Sequence, residues 1–260
     1  MKKVLVVLLL ITMVFATCGC QGSEESETTD FVVGFDASFP PYGYVDEAGE
    51  YVGFDLDLAQ EVCDRNGWEL VKTPIDWNAK DMELNSGAID CIWNGFTMNG
   101  REDAYAWTTP YVDNSQVIVV SKDSGIKTLA DLAGKTLIVQ EDSSALHAIE
   151  DEALADFNAS LKVLMQVPEY NSAFLALEAG AADAIALDIG VADYQITSRE
   201  GAFVMLEESI ASEQYGVGFA LENTELRDQV QATLDEMAAD GTFLTIAEEW
   251  GCADAVCMGK

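Results

Sequence analysis

Basic residues and histidine are scarce in this sequence of 260 residues. Lys and Arg number 13 against 46 Asp and Glu, and His147 is the single histidine. Binding to nucleic acid or to anionic lipid depends on Lys and Arg, so the composition argues against both. One histidine and no paired C-x-x-C spacing argue against a metal site. The sequence also lacks a phosphate-binding loop and a nucleophile elbow, so neither a cofactor nor a catalytic residue is predicted.

The sequence has no apolar run long enough to span a membrane. A shorter apolar run lies at the N-terminus. Two lysines precede an apolar run over residues 4–16, which is shorter than the roughly 20 residues of a membrane-spanning helix. A charged start, a short apolar core and small residues before a cleavage point predict a secretory signal peptide over residues 1–19. The cleavage region resembles the bacterial lipobox, and Cys20 fits the lipidated position better than Cys18 does.

The next segment, residues 20–30, contains no large apolar side chain. It cannot bury enough surface to offset its ordering entropy, so a flexible acidic tether is predicted. Beyond the leader the chain keeps 11 basic and 46 acidic residues, a formal charge of about −35, which we interpret as solubility of an exposed protein. Residues 31–260 suffice for one large or two small domains. We therefore expect a monomer whose membrane contact is the lipid anchor alone, on the extracytoplasmic face.

Strand and helix patterns alternate along this region. The first predicted elements are a strand, a hairpin, a helix and a strand, over residues 31–36, 44–54, 55–66 and 68–71. This order predicts an α/β architecture. Residues 84–92 and 177–185 both read L-x-x-G-A-x-D-x-I, a helix end, a glycine cap and a strand start. Each copy leads into polar residues, so two similar α/β units with a ligand between them are favoured over coincidence.

Five longer stretches carry a family resemblance. They are G-F-D-A-S-F-P-P-Y at 34–42, Y-V-G-F-D-L-D-L-A at 51–59, N-G-F-T-M-N-G-R-E at 94–102, Q-Y-G-V-G-F at 214–219 and A-D-G-T-F at 239–243. Together they resemble the polar amino-acid-binding proteins of ABC importers, the family 3 solute-binding proteins with the type II periplasmic-binding fold.

The resemblance implies two α/β lobes joined by a two-strand hinge, with a ligand cleft between them. Lobe 1 is expected at residues 31–111 and 215–260, and lobe 2 at residues 112–214. It further implies a protein that captures a polar amino acid by hinge closure and delivers it to the permease subunits of an ABC importer. The alternatives are an enzyme on the same fold, of the dehydratase or peptidoglycan lyase type, and a sensor for a separate membrane partner.

The resemblance also implies which residues hold the two main-chain ends of the ligand. Arg101, supported by Thr97, would bind the carboxylate, because guanidinium offers a planar fork for it. An exposed arginine paired with a neighbouring acid is the alternative. The carbonyl of Gly95, the hydroxyl of Thr97 and the carboxylate of Asp188 would accept from the ammonium. Capping of the following helix is the alternative for Asp188.

Aromatic and second-lobe residues complete the implied site. Phe39 and Trp77 would enclose the ligand side chain with Tyr42 as a third wall, and Asp36 would meet its far end. Backbone N–H groups of Ser143 and Ser144 would meet the carboxylate, although a helix cap is the default there.

The pair Glu141-Asp142 departs from the small residues of many relatives, so these acids either point outward or favour a cationic ligand end. This pattern inclines the prediction toward a cationic or amide side chain. Cys252 and Cys257 enclose a short loop, whose spacing permits a disulfide.

Overall fold

The computed structural model describes residues 29–199 and 201–259. The predicted signal peptide, the lipidation site Cys20 and the tether up to residue 28 lie outside these ranges. Within them, no helix combines the length and the apolar character needed to cross a membrane.

Short strands alternate with helices along the described chain. The strands are β1 (Thr29–Phe35), β2 (Ser38–Phe39), β3 (Gly43–Val45), β4 (Tyr51–Val52), β5 (Trp68–Pro74), β6 (Cys91–Ile92), β7 (Ala106–Trp107), β8 (Val112–Ser121), β9 (Thr136–Gln140), β10 (Val163–Val167), β11 (Ala184–Asp188), β12 (Phe203–Tyr215) and β13 (Gly218–Phe219). The α-helices are α1 (Phe54–Asn66), α2 (Lys80–Ser86), α3 (Ser144–Glu150), α4 (Ala155–Ser160), α5 (Tyr170–Glu178), α6 (Ile189–Ser198), α7 (Thr224–Asp240) and α8 (Thr242–Glu249). Single 3₁₀ turns lie at Trp77–Ala79, Leu129–Leu132, Glu152–Leu154 and Ala253–Ala255.

The strands form two five-stranded sheets, which confirms the prediction of two α/β lobes. The first sheet has the order β5-β1-β6-β13-β7 and the second the order β10-β9-β11-β8-β12, while β2, β3 and β4 form a separate small sheet. The chain enters the second sheet along β8 and leaves it along β12. These two strands pair antiparallel from Val112↔Tyr215 to Ser121↔Phe203, so both connections between the lobes run side by side.

The repeated L-x-x-G-A-x-D-x-I segment performs the same structural task in each lobe. In both copies a glycine with positive φ, Gly87 at 74° and Gly180 at 68°, separates a helix from a strand. The aspartate that follows accepts a backbone N–H from the neighbouring parallel strand. Asp90 accepts from Val32 at 2.7 Å and Asp183 from Thr136 at 2.8 Å. The repeat therefore joins a helix to the central strand of the sheet in each lobe.

The helix predicted over residues 55–66 is α1, and its predicted apolar face, which includes Leu58 and Val62, is buried. The last two residues of the predicted tether are not unstructured. Thr29 and Asp30 belong to β1, where they pair in parallel with Trp68 and Glu69. Their polar composition suggested an unstructured segment, but backbone pairing with an adjacent strand orders them.

Candidate ligand site between the lobes

One cavity of ≈ 280 Å³ lies between the two lobes. It brings together eight residues named from the sequence, Phe39, Trp77, Gly95, Thr97, Arg101, Ser143, Ser144 and Asp188. Two residues that the sequence did not single out, Asn94 and Gln140, also line it. The polar members come mainly from the ends of strands in both sheets, where open α/β sheets bind ligands.

Arg101 reaches the cavity without an acidic partner. Among the described residues, no carboxylate lies within ion-pair distance of its guanidinium, and neither Glu102 nor Asp103 pairs with it. It donates to the backbone carbonyl of Thr97 at 3.2 Å and to that of Asp142 at 3.3 Å. These neutral acceptors hold the guanidinium in place and leave its charge uncompensated. Arg101 is therefore suited to an anionic ligand group.

Asp188 occupies the N-cap position of α6, but its side chain caps no backbone N–H. The carboxylate instead accepts from Asn114 at 2.8 Å, from Gln116 at 2.7 Å and from the hydroxyl of Tyr215 at 2.6 Å. Burial, followed by the nearby charge of Glu213, raises the pKa of Asp188 to about 7. The geometry thus contradicts the capping alternative and leaves a buried carboxylate at the cavity.

Two predicted site residues, Asp36 and Tyr42, do not line this cavity. Asp36 is shielded from it by Gln140, whose amide donates to the Asp36 carboxylate at 2.5 Å. Tyr42 is 2% exposed and packs edge-on against Tyr215 with 5.2 Å between ring centroids. Its ring therefore packs outside the cavity, because the turn between β2 and β3 directs it toward Tyr215 of β12.

The acids Glu141 and Asp142 face the opposite lobe rather than the cavity. Glu141 accepts a hydrogen bond from the Asn78 amide at 3.0 Å. Asp142 forms an ion pair with Lys80, whose side chain is 2% exposed, and it lies 3.1 Å from His147 Nε2. Burial opposes ionisation of Asp142, but the hydrogen bonds from His147 and Lys80 outweigh it and lower its pKa below the usual range. The departure from the family pattern therefore creates contacts across the closed cleft.

The aromatic walls are held by ring contacts. Phe39 is 7% exposed and lies 6.0 Å from Tyr170 of the second lobe, measured between ring centroids. Trp77 sits on a 3₁₀ turn and packs edge-on against Phe96 at 5.4 Å. These contacts keep two flat apolar surfaces at the cavity.

An open cavity of ≈ 1000 Å³ adjoins the site beyond Trp77. Four acidic residues line it, Asp36, Asp76, Glu83 and Glu169. The pKa of Asp36 is raised to about 6, mainly by burial and in small part by the charges of Glu169 and Asp76, while hydrogen bonds from Gln140 and Ser38 oppose the rise. This end of the cleft is strongly electronegative.

Comparison with known proteins agrees with this geometry. The family model of bacterial extracellular solute-binding proteins, family 3, matches residues 31–253. The chain belongs to this family. Membership confirms the resemblance, the type II periplasmic-binding fold and the expectation of a binding protein rather than an enzyme.

Individual family 3 proteins match along almost their whole length. ABC transporter arginine-binding protein 1 of Escherichia coli K12 is 27% identical over 255 residues, which cover 96% of this chain and 99% of that protein. The crystal structure of Tv2483 bound to L-arginine has a TM-score of 0.82 and 28% identity, covering 89% of this chain and 94% of the other. A Streptococcus pneumoniae ABC uptake transporter substrate-binding protein with bound histidine has a TM-score of 0.80 and 31% identity, covering 88% and 94%.

Sequence reasoning missed several polar residues of this candidate site. Gln140 ends β9 and Glu213 lies on β12, within strands that read as structural. Asn114 and Gln116 lie on β8, beside Glu213. The sequence offered one signal for these residues, namely the polar side chains within β8 and β12. These two strands connect the lobes and therefore border the cleft.

Proposed function

We propose that this protein captures a cationic amino acid, arginine foremost, and delivers it to the permease subunits of an ABC importer. The observation that carries the proposal is one cavity lined by both Arg101 and Asp188. The first offers a cation that pairs with no acid among the residues that the structure describes, and the second offers a buried carboxylate. A free α-amino acid carries the two complementary charges on one carbon atom.

The main-chain ends of the ligand would use the residues that the sequence assigned. Arg101 would hold the carboxylate through a bidentate contact. Asp188, the Thr97 hydroxyl and the Gly95 carbonyl would accept from the ammonium group. Ser143 caps α3 by accepting from the Leu146 N–H at 3.2 Å, so its contribution to the carboxylate site is secondary.

A cationic side chain is favoured by the charges beyond the aromatic walls. An extended side chain would pass between Phe39 and Trp77 toward the acidic cavity around Asp36. A guanidinium can also stack on an aromatic face, which an uncharged side chain does less well. The formal charge of −33 adds long-range attraction for a cation. The arginine-binding and arginine-bound relatives support the same ligand.

Closure of the lobes would enclose the bound ligand. Contacts such as Lys80–Asp142 and the hydrogen bond from Ser38 to Glu169 at 2.6 Å join residues of opposite lobes. We propose lobe boundaries at residues 111/112 and 214/215, with bending along β8 and β12. The importer would recognise the closed form. The protein would act as a monomer held at the extracytoplasmic face by lipid on Cys20.

The test is calorimetric titration of refolded, ligand-stripped mature protein with a panel of amino acids. We expect sub-millimolar binding of arginine, weaker binding of uncharged amino acids, and a loss of at least about 100-fold in affinity in Arg101→Ala. Arg65→Ala is the matched control, because its guanidinium is paired with Glu61 and Asp240. Silence across the panel, or full affinity in Arg101→Ala, would refute the proposal. Release of a Cys20→Ala variant from cells would support the anchor.

A further inference from the structure

Glu213 lies beside the ligand cavity, in contact with the lining residues Thr97 and Ser144. Its side chain belongs to β12, and the residue is 7% exposed. The carboxylate accepts from the Asn114 amide and from the Gln116 amide, both at 2.7 Å. Among residues 29–199 and 201–259, no Lys, Arg or His forms an ion pair with it.

The same carboxylate engages two hydroxyls that line the ligand cavity. The Thr97 hydroxyl donates to Glu213 at 2.8 Å. The Ser144 hydroxyl lies 3.0 Å from Glu213 Oε2 and 3.0 Å from Thr97 Oγ1. A hydroxyl has one proton and two lone pairs. The proton of Thr97 points at Glu213, and the proton of Ser144 goes to one of these two oxygens. Both hydroxyls can therefore only accept from a ligand.

We infer that Glu213 is a positioning residue that fixes the hydroxyls of Thr97 and Ser144 as acceptors and thereby makes the site select an α-ammonium group. The inference rests on the proposed function, since it names how the amino-acid ligand is oriented. With Asp188 and the Gly95 carbonyl, the two hydroxyls form an acceptor-only end of the cavity. A carboxylate is rejected there and remains at Arg101.

Glu213 and Asp188 also form a pair of like charges that persists when the lobes separate. Both lie in the second lobe, and they share the amide donors Asn114 and Gln116. The other ionisable groups that face the pair are Arg101, which lines the ligand cavity with Asp188, the hydroxyls of Tyr42, Tyr170 and Tyr215, and the ring of His147, which lines an open cavity with Glu213. Burial, followed by the charge of Glu213, raises the pKa of Asp188 to about 7, so Asp188 holds a proton at pH 6 before the ligand binds, and an entering ammonium group displaces it.

The experiment compares L-arginine with its des-amino analogue, 5-guanidinopentanoic acid, in the wild-type protein and in Glu213→Gln. The glutamine amide can donate to Thr97 and turn its proton toward the ligand. We expect the wild type to prefer L-arginine by about 100-fold or more, and Glu213→Gln to reduce this preference by about tenfold or more. The matched control is Glu207→Gln, an exposed residue of the same strand with the same change of charge.

A second readout uses the wild type and does not depend on the folding of a variant. Titrations at pH 6 in buffers of different ionisation enthalpy should show release of up to about one proton per arginine, with affinity rising between pH 5 and pH 7. No proton release, or an unchanged preference in a folded Glu213→Gln, would overturn the inference alone. Absence of amino-acid binding in the wild type would overturn it together with the proposed function.

Discussion

Gly190 is the position where a small substitution should separate stability from binding. It is the second residue of α6 in the second lobe, and Tyr42 of the first lobe packs against it. A Cβ at this position would lie 2.4 Å from Tyr42 Oη and 3.0 Å from its Cζ. The tyrosine ring cannot easily retreat, because it is buried against Tyr215 and Phe54.

The two effects of Gly190→Ala have opposite signs. Replacing glycine by alanine inside a helix stabilises it by up to about 1 kcal/mol. Overpacking by one methyl group against a buried ring costs about 1–3 kcal/mol, which corresponds to about 5- to 150-fold in an equilibrium constant. Because the clash involves residues of opposite lobes, this cost falls on the closed form. We therefore expect weaker ligand binding and an unchanged or higher unfolding temperature for the ligand-free protein.

Calorimetric titration with arginine and differential scanning calorimetry measure the two effects separately. Removing the Tyr42 hydroxyl eliminates the closest contact, so the double variant Gly190→Ala/Tyr42→Phe should recover part of the lost affinity relative to Tyr42→Phe alone. Unchanged affinity in Gly190→Ala would refute the reasoning, as would a fall in unfolding temperature without a change in binding.

Three further predictions follow from buried groups. Asp142→Asn leaves the buried Lys80 ammonium unpaired in the closed form. Because Asp142 is partly exposed, we expect calorimetry to show a loss of about 1–2 kcal/mol of binding free energy, or roughly 5- to 30-fold in arginine affinity. Unchanged affinity would contradict the cross-lobe ion pair. Burial raises the pKa of Asp55 to about 7, whereas the pKa of an aspartate in the unfolded chain is about 4. The protonated Asp55 therefore contributes to stability below about pH 4, and this contribution is lost as the pH rises to 7. Asp55→Asn should therefore flatten the decline of the unfolding temperature between pH 4 and pH 7, and an identical decline would argue against a retained proton. Burial also raises the pKa of the Cys63 and Cys91 thiols, so mass spectrometry should find both unlabelled by iodoacetamide until the protein is unfolded.

The spacing of Cys252 and Cys257 permits a disulfide but does not establish one. Cys252 is 7% exposed, and its Sγ lies 3.7 Å from the Trp250 carbonyl as a thiol. Short loops bring two cysteines near each other in the chain, but a disulfide also needs a specific distance and orientation.

Local patterns in the sequence determined much of the fold. Helix α1 was predictable because its apolar spacing and its stop at Gly67 lie within one segment. The repeated segment predicted two similar units, since a helix end, a glycine cap and a strand start are all local features. The motif stretches likewise named Arg101 and Thr97, and Asp188 stands just after the second copy of the repeat. All three meet at one cavity.

The tertiary structure decided the chemistry of the cleft, because its key contacts join distant segments. Glu213 reads as a polar strand residue, and only packing places it on Thr97, 116 residues earlier in the chain. Asp142 contacts Lys80, 62 residues earlier in the chain. Its negative charge therefore stabilises a contact between the lobes and does not repel the ligand. Periodicity and capping act over a few residues and fix where strands and helices begin and end. The packing of the two lobes decides which side chains meet, because it sets the relative position of whole sheets.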